Sequence, residues 1–330
     1  MYDFSFLEIT KLRVIIGVIS DKKKIMKRIG ILGLGGVGGY FGGLLANAYY
    51  KSDDVEVIFI ARGETQRAIA ENGLKIVTDD SETIVFPSIV SNNPDEIGEL
   101  DYLICATKTY DIEESLSSLK KTVKNETVIL PLYNGVDAQE RIQKIFPENE
   151  VLQGCVYIIS MIFSPGTIRK IGFYEKLFFG SKTAPFSKLE ELQNIFEKAK
   201  IESYLVANIE ETVWEKFIFI SALASVTSYL NQNIGEILHH LESKVIYIEL
   251  LHEIEDVAQA KGLKLPEDIV AQTIIKLEKS PKEATSSMHR DLLAGKNTEA
   301  VSLTQFVVNE GRKYGVKTPV YEKIAAVLIK

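Results

Sequence analysis

Short apolar runs alternate with amphipathic stretches along the first part of the chain. Four of these runs have the length and composition of strands: 29–32, 55–60, 102–106 and 127–130. Each is followed by a stretch with helical spacing, such as 40–50 after the first run and 64–71 after the second. Strands separated by helices in this way predict an α/β fold with a parallel, doubly wound sheet.

The pattern changes twice further along the chain. Residues 151–179 are rich in β-forming residues, which predicts a flanking portion of sheet, and a helix at 187–200 and a strand at 203–206 follow. After residue 208, long amphipathic stretches dominate: 209–230, 242–262, 266–279, 285–294, 298–314 and a terminal helix from Val320. We therefore predict one α/β domain over residues 26–207 and an all-helical second domain over residues 208–330.

Residues 1–25 precede the first predicted strand. Their apolar piece, at 14–19, is short for the core of a signal peptide, and Asp3 and Glu8 occur where such a signal would be basic. We therefore expect an N-terminal extension outside the fold, whose presence in the native protein the sequence leaves open. The expected location of the protein is the cytoplasm.

The composition argues against several classes of binding partner. The chain has 330 residues, of which 25% are charged, with a net charge of -7 and without a long basic stretch, so nucleic acid is not an expected partner. No apolar run approaches the roughly 18–20 residues of a membrane span. Cys105 and Cys155 lie in apolar runs, which predicts buried, reduced thiols. The four histidines lack metal-ligand spacing, so we predict solvated histidines and no metal site.

A glycine-rich loop follows the first predicted strand and opens a helix. It has the pattern GxGxxG and consists of Gly33, Leu34, Gly35, Gly36, Val37 and Gly38. In this context the first glycine permits a tight turn, the second lets a pyrophosphate approach the backbone, and the last packs the helix against the sheet. The N-terminus of the helix then offers N–H groups and a partial positive charge to the phosphates. The loop therefore predicts a Rossmann-type domain that binds a dinucleotide.

The end of the second strand distinguishes between the two nicotinamide cofactors. An NAD site usually has an acidic residue there, which accepts a hydrogen bond from the ribose 2′-hydroxyl. In this chain Arg62 follows the strand, whereas Asp53 and Asp54 precede it at the wrong end. Because a guanidinium pairs with a 2′-phosphate, we predict that NADP (NADPH) is the cofactor.

Four further motifs follow along the chain: Thr107-Lys108-Thr109-Tyr110-Asp111, Asn134-Gly135-Val136, Trp214-Glu215-Lys216, and Ser286-Ser287-Met288 with Asp291 and Glu299 downstream. By their order and spacing, the chain resembles the ketopantoate reductase (2-dehydropantoate 2-reductase) family. The resemblance extends from about residue 27 to residue 325. It implies NADPH-dependent reduction of 2-dehydropantoate to (R)-pantoate in pantothenate biosynthesis.

The resemblance also implies roles for individual residues. Lys216 would be the catalytic lysine, Lys108 would contact the cofactor, and Asn134 would lie between nicotinamide and substrate. Glu299 would contact both the cofactor and the catalytic site, and Ser287 would bind the carboxylate end of the substrate. Lys108 and Asn134 follow apolar strands, so they are also expected at the carboxyl edge of the sheet, where ligands bind in open α/β folds. Hydride transfer to a carbonyl produces an alkoxide, which a positioned lysine ammonium stabilises and protonates.

Asp291 occurs four residues after Ser287, on the same face of the predicted helix. It is a further candidate for the substrate site, where it binds substrate, orients Ser287 or pairs locally. The expected small-molecule partner is a 2-oxo acid. Helical second domains of this type often pair, which favours a homodimer, although the sequence does not give the oligomeric state.

The chain departs from the family at polar positions of the substrate site. Typical members have asparagines four and eight residues after the catalytic lysine, and this chain has Ile220 and Ala224 there. Two further common asparagines are replaced by Ile234 and Ala284. Two alternatives therefore stay open, namely an NADPH-dependent reductase of a more apolar 2-oxo acid and a non-catalytic NADPH-binding regulator.

Overall fold

A parallel sheet forms the centre of the first half of the chain in the computed structural model, which describes residues 26–329. Ten strands occur in that part of the chain: β1 (Lys27–Leu32), β2 (Val55–Ile60), β3 (Leu74–Val77), β4 (Glu82–Val85), β5 (Ile89–Ser91), β6 (Leu100–Cys105), β7 (Val123–Pro131), β8 (Gln153–Ser164), β9 (Thr167–Gly180) and β10 (Ser203–Leu205). The central sheet has the order β5-β2-β1-β6-β7, and all its pairs are parallel. The strand order reverses direction at β1, so the crevice for a ligand is expected beside the end of β1.

Helices cover both faces of this sheet. Six occur in residues 26–207: α1 (Gly36–Ala48), α2 (Gly63–Asn72), α3 (Pro94–Ile97), α4 (Ile112–Ser117), α5 (Ala138–Ile145) and α6 (Phe186–Lys198). One hydrophobic cluster joins α1 and α6 to the sheet, and another joins α4 and α5 to it. The predicted doubly wound α/β fold is therefore confirmed.

A second sheet flanks α1. Its order is β10-β9-β3-β4, and β8 pairs with β9 as a long antiparallel hairpin. The hairpin agrees with the flanking portion predicted for 151–179. Strands β3, β4 and β5 were not predicted, because each has only three or four residues. Strand β8 passes close to the glycine loop, since a Cβ atom on Gly36 would collide with the backbone of Ser160.

The rest of the chain is helical, as predicted. It contains α7 (Ile209–Leu230), α8 (Ile234–His239), α9 (Leu241–Ala260), α10 (Ile269–Glu278), α11 (Ser287–Leu293), α12 (Phe306–Tyr314) and α13 (Pro319–Leu328). A short π-helical segment, Val301–Gln305, leads into α12. Helix α8 was not predicted, because Gly235 suggested a break. Asn233 starts this helix with a capping box, in which its side chain and that of Glu236 each accept a backbone N–H.

The structure does not test two of the sequence predictions, the domain boundary and the N-terminal extension. The boundary at residue 207 falls between β10 and α7 and stays a prediction. The extension at residues 1–25 lies outside the described residues. Within residues 26–329, every helix is too short or too polar to cross a bilayer.

Both cysteines are buried, as predicted, but one of the histidines predicted to be solvated is buried as well. Cys105 and Cys155 are buried free thiols, and burial raises the pKa of Cys155 to about 11. The prediction of a solvated His289 is wrong, because this ring is buried between two hydrogen-bond partners. Its nitrogens lie 2.6 Å from Thr285 Oγ1 and 2.8 Å from Asn231 Oδ1. A ring with both nitrogens satisfied can be buried at little cost.

Candidate active site

The glycine loop connects the end of β1 to the start of α1. Gly33 has a φ of +91°, which disfavours other residues, and a Cβ atom there would lie 2.6 Å from the backbone nitrogen of Thr107. The space above Gly35 is open, since a Cβ atom would meet nothing nearer than the carbonyl oxygen of Ala106, at 4.0 Å. No acidic residue occurs in the first turn of α1. This loop and the N-terminus of α1 therefore fit the pyrophosphate of a dinucleotide.

A cleft of about 640 Å³ opens from this loop along the carboxyl edge of the sheet. Its lining combines the loop, the ends of the central strands, part of β8 and residues from the helical half. It includes most of the predicted site residues, namely Gly33, Leu34, Gly35, Gly36, Val37, Arg62, Lys108, Asn134, Ser287 and Glu299. Gly38, Lys216 and Asp291 lie outside the lining. The cleft therefore brings together side chains that are more than two hundred residues apart in sequence.

Arg62 lies at the end of β2 and immediately precedes α2. Its side chain is 69% exposed, and its Nη1 lies 3.3 Å from a carboxylate oxygen of Glu114, which also lines the cleft. Asp53 and Asp54 lie at the opposite end of β2. This end of the cleft therefore presents a cation where the adenosine ribose of a dinucleotide is expected.

Lys108 connects the two halves of the chain through ion pairs. Its Nζ lies 2.7 Å from Oδ2 of Asp291 and 3.2 Å from Oε2 of Glu299. Burial lowers the pKa of Lys108, but the negative charges of Glu299 and Asp291 outweigh burial and raise it. Glu299 is only 4% exposed, and its other oxygen accepts the backbone N–H of Thr109 at 3.3 Å. Lys108 is therefore held as a cation.

Lys216 belongs to α7, in the helical half of the chain. Its Nζ donates a hydrogen bond of 2.8 Å to Oδ1 of Asn134, which lies in the loop after β7. The residue is 6% exposed. Burial lowers the pKa of Lys216, the charges of Cys155 and Glu299 raise it, and that of Lys276 lowers it further. Lys216 has no carboxylate partner among the residues that the structure describes, so it is the more acidic of the two site lysines.

The helix surface next to Lys216 is apolar, as the sequence predicted. Ile220 is partly buried and Ala224 is 2% exposed, and both pack in the core of the helical half. Ser287 begins α11, whose N-terminus is capped by Ser286. The Ser286 hydroxyl lies 2.8 Å from that of Thr227, one turn beyond Ala224 on α7. Thr227 therefore holds the start of α11 against α7.

The residues that brace the loops around the site were not predicted from the sequence. Arg141, on α5, donates to the backbone oxygen of Thr109 at 2.7 Å and to Ser302 Oγ at 3.3 Å. It also pairs with Asp137, four residues earlier, at 3.1 Å. Only this i, i+4 spacing was visible in the sequence. Thr109 and Ser302 are distant in sequence, and Ser302 lies in the π-helical segment after Glu299.

Comparison with known proteins identifies the family. Residues 29–183 match the family described as ketopantoate reductase PanE/ApbA, and residues 208–330 match its C-terminal domain. The chain belongs to the ketopantoate reductase family. The resemblance predicted from the motifs is therefore confirmed.

Individual relatives agree with this assignment. The crystal structure of 2-dehydropantoate 2-reductase from Porphyromonas gingivalis W83 is 32% identical, covers 93% of this chain and 100% of its own, and superposes with a TM-score of 0.81. "Uncharacterized oxidoreductase YkpB" of Bacillus subtilis is 27% identical over 297 residues, which is 90% of this chain and 96% of that protein. The 2-dehydropantoate 2-reductase of Pyrococcus abyssi is 28% identical over 295 residues, or 88% and 93%.

The family assignment decides between the classes of function considered for the sequence. The relatives are oxidoreductases, so the chain is an oxidoreductase, as predicted, and the alternative of a non-catalytic regulator loses its support. The family is NADPH-dependent, in agreement with the predicted cofactor. Its substrates are small 2-oxo acids.

Proposed function

We propose that this protein uses NADPH to reduce 2-dehydropantoate (ketopantoate) to (R)-pantoate, a step of pantothenate biosynthesis in the cytoplasm. The observation that carries the proposal is the hydrogen bond between Lys216 and Asn134, next to the cofactor cleft. It joins a buried cation of the helical half to the carboxyl edge of the sheet. That edge is where a nicotinamide reaches its substrate in this fold.

The residues of the cleft fit NADPH, which supplies the hydride when bound. The glycine loop and the N-terminus of α1 would hold the pyrophosphate, and the open space above Gly35 permits close approach. Arg62 would pair with the 2′-phosphate in place of its present contact with Glu114. Lys108 and Glu299 also line the cleft and would contact the cofactor there.

Lys216 is the proposed proton donor. As the substrate carbonyl is reduced, negative charge develops on its oxygen, and an ammonium next to that oxygen stabilises the charge and then protonates it. The lowered pKa makes Lys216 a stronger acid than an exposed lysine. Asn134 accepts one of its hydrogen bonds and so fixes the direction of the ammonium group.

The other candidate residues have supporting roles in this proposal. Ser287 lines the cleft at the start of α11, where its hydroxyl would bind the substrate carboxylate. Glu299 would act beside Lys216, since its charge raises the pKa of that lysine. Asp291 pairs with Lys108 rather than with Ser287, so we assign it the positioning of Lys108.

The apolar surface beside Lys216 favours a second candidate substrate. Ile220 and Ala224 offer no donor to the hydroxyl group of ketopantoate, and one missing hydrogen bond costs about 1–3 kcal/mol. A 2-oxo acid with a branched alkyl side chain would instead gain from contact with these residues. Such an acid is the alternative to ketopantoate.

Oxidation of NADPH in the presence of ketopantoate, 2-oxoisovalerate and 2-oxoisocaproate tests the proposal. We expect turnover with at least one of them, and the ratio of kcat/KM values identifies the preferred substrate. Lys216→Met provides the control with strongly reduced turnover, because methionine keeps an apolar stem and lacks the ammonium group. Absence of turnover with all three acids would refute the proposed reaction. The predicted homodimer is tested separately by sedimentation velocity.

A further inference from the structure

Arg141, on α5, uses all five of its N–H groups as hydrogen-bond donors. Nη1 donates to Asp137 at 3.1 Å and to Ser302 at 3.3 Å, and Nη2 donates to the backbone oxygen of Thr109 at 2.7 Å. The remaining two N–H groups bind the carboxylate of Glu113 at 2.6 and 2.7 Å. The side chain is 23% exposed. A guanidinium whose donors are all engaged has one defined position, and it fixes its acceptors relative to one another.

Two of these acceptors lie on the segments that carry Lys108 and Glu299. Thr109 follows Lys108 in the chain, and its backbone oxygen accepts from Arg141. The backbone N–H of the same residue donates to Glu299 at 3.3 Å. Ser302 lies three residues after Glu299, in the π-helical segment of the helical half. Because Arg141 belongs to the α/β half, its guanidinium joins the two halves of the chain next to the ion pairs of Lys108.

The third acceptor, Asp137, lies at the end of the loop that carries Asn134. Gly135 of this loop has a φ of +155°, and a Cβ atom there would lie 3.1 Å from Oδ1 of Asp137 and 3.6 Å from Cβ of Ser302. The loop therefore passes against both side chains. Oδ2 of Asp137 accepts from the guanidinium and, at 3.2 Å, from Ser302. Since Asn134 accepts the hydrogen bond of Lys216, the position of this loop sets the direction of that ammonium group.

We infer that Arg141 is a positioning residue, which holds the segments of Lys108 and Glu299 in register with the loop of Asn134. The inference rests on the proposed function, in which cofactor and substrate bind between these groups. A displacement of about 1 Å between reacting groups can lower the rate about 100-fold. A lysine at this position would keep the charge, but its single nitrogen cannot reach acceptors on three segments in different directions.

Hydrogen–deuterium exchange of the NADPH complex, followed by mass spectrometry, tests the inference without turnover. In Arg141→Lys we expect faster exchange in the peptides that cover 107–111, 133–137 and 299–305, and unchanged exchange in the central strands. All three segments should respond together, because one guanidinium holds them. Arg312→Lys is the matched control, since that arginine is exposed on α12 and pairs with a carboxylate at 3.3 Å. It should exchange like the wild type.

Kinetics measure the consequence for the reaction. With the best substrate, kcat of Arg141→Lys should fall by about 10–100-fold. The Kd for NADPH, measured by fluorescence titration, should change by less than about fivefold, because the glycine loop and Arg62 would still bind the cofactor. Ser302→Ala removes only the contact with the helical half and should lower kcat by a smaller factor. It also serves as a milder variant if Arg141→Lys folds poorly.

The outcomes separate this inference from the proposed function. Wild-type exchange in the three segments of Arg141→Lys would overturn the inference, and so would an unchanged kcat. Faster exchange throughout the chain, with a parallel loss of NADPH affinity, would indicate a general contribution to stability and would overturn it as well. If the wild type reduces no 2-oxo acid, the proposed reaction fails, whereas the exchange pattern still decides whether Arg141 holds the three segments together.

Discussion

Replacement of Lys216 by methionine is the most direct test of the chemistry. The residue is 6% exposed, and its ammonium donates a hydrogen bond to Oδ1 of Asn134 at 2.8 Å. Methionine fills a similar volume and removes only the ammonium group. The variant should fold, because a buried cation without a carboxylate partner contributes little to stability. Its loss of activity can therefore be assigned to the missing proton donor.

The expected loss follows from the role of the ammonium. Positioned acid–base catalysis contributes roughly 10²–10⁴ in rate, which corresponds to about 2.7–5.5 kcal/mol in the barrier. We expect kcat to fall by that factor, whereas the Kd for NADPH, measured by fluorescence titration, should stay within about twofold. Near-normal kcat with the best substrate would refute the assignment of Lys216 as the proton donor.

The pH profile gives an independent test of the same group. Burial lowers the pKa of Lys216, so its proton is lost at a lower pH than that of an exposed lysine. Only the ammonium form donates a proton, and kcat should therefore decrease as pH rises through this lowered pKa. That alkaline limb should be absent from the residual activity of Lys216→Met. A limb of the same shape in the variant would assign the titration to another group.

Three further substitutions test the cofactor and substrate parts of the site. Arg62→Ala should raise the KM for NADPH about tenfold and leave that for NADH unchanged; equal losses would exclude a contact with the 2′-phosphate. Glu114→Gln should lower the KM for NADPH, because it removes the acid that now pairs with Arg62; an increase would mean that this pair helps binding. Ile220→Asn should raise kcat/KM for ketopantoate relative to 2-oxoisovalerate by about fivefold or more, from one added hydrogen bond, and an unchanged ratio would place the substrate away from this residue.

The fold was predictable where the periodicity was long and regular. The central strands and the long helix α7 combine apolar spacing with clear breaks, and their observed ends differ from the predicted ones by a few residues. The short strands β3, β4 and β5 gave no such signal. Helix α8 was hidden because Gly235, a poor helix former, occurs in its first turn, where the capping box of Asn233 compensates.

The site was predictable only from motifs. The glycine loop and Arg62 indicate their chemistry because their ligands bind local backbone or a nearby strand end. The contacts of Lys108 could not be predicted from spacing, since Asp291 and Glu299 are 183 and 191 residues away in sequence.

The two lysines of the site, Lys108 and Lys216, show why residue type alone does not determine a role. Lys108 has two carboxylate partners, which raise its pKa and keep it charged, so it can hold an anion or a domain contact but is a poor proton donor. Lys216 is buried with a neutral amide as its hydrogen-bond partner, and its lowered pKa suits it to donate a proton. Because carboxylates lie beside Lys108 and a neutral amide lies beside Lys216, the same residue type is a fixed cation at one position and a proton donor at the other.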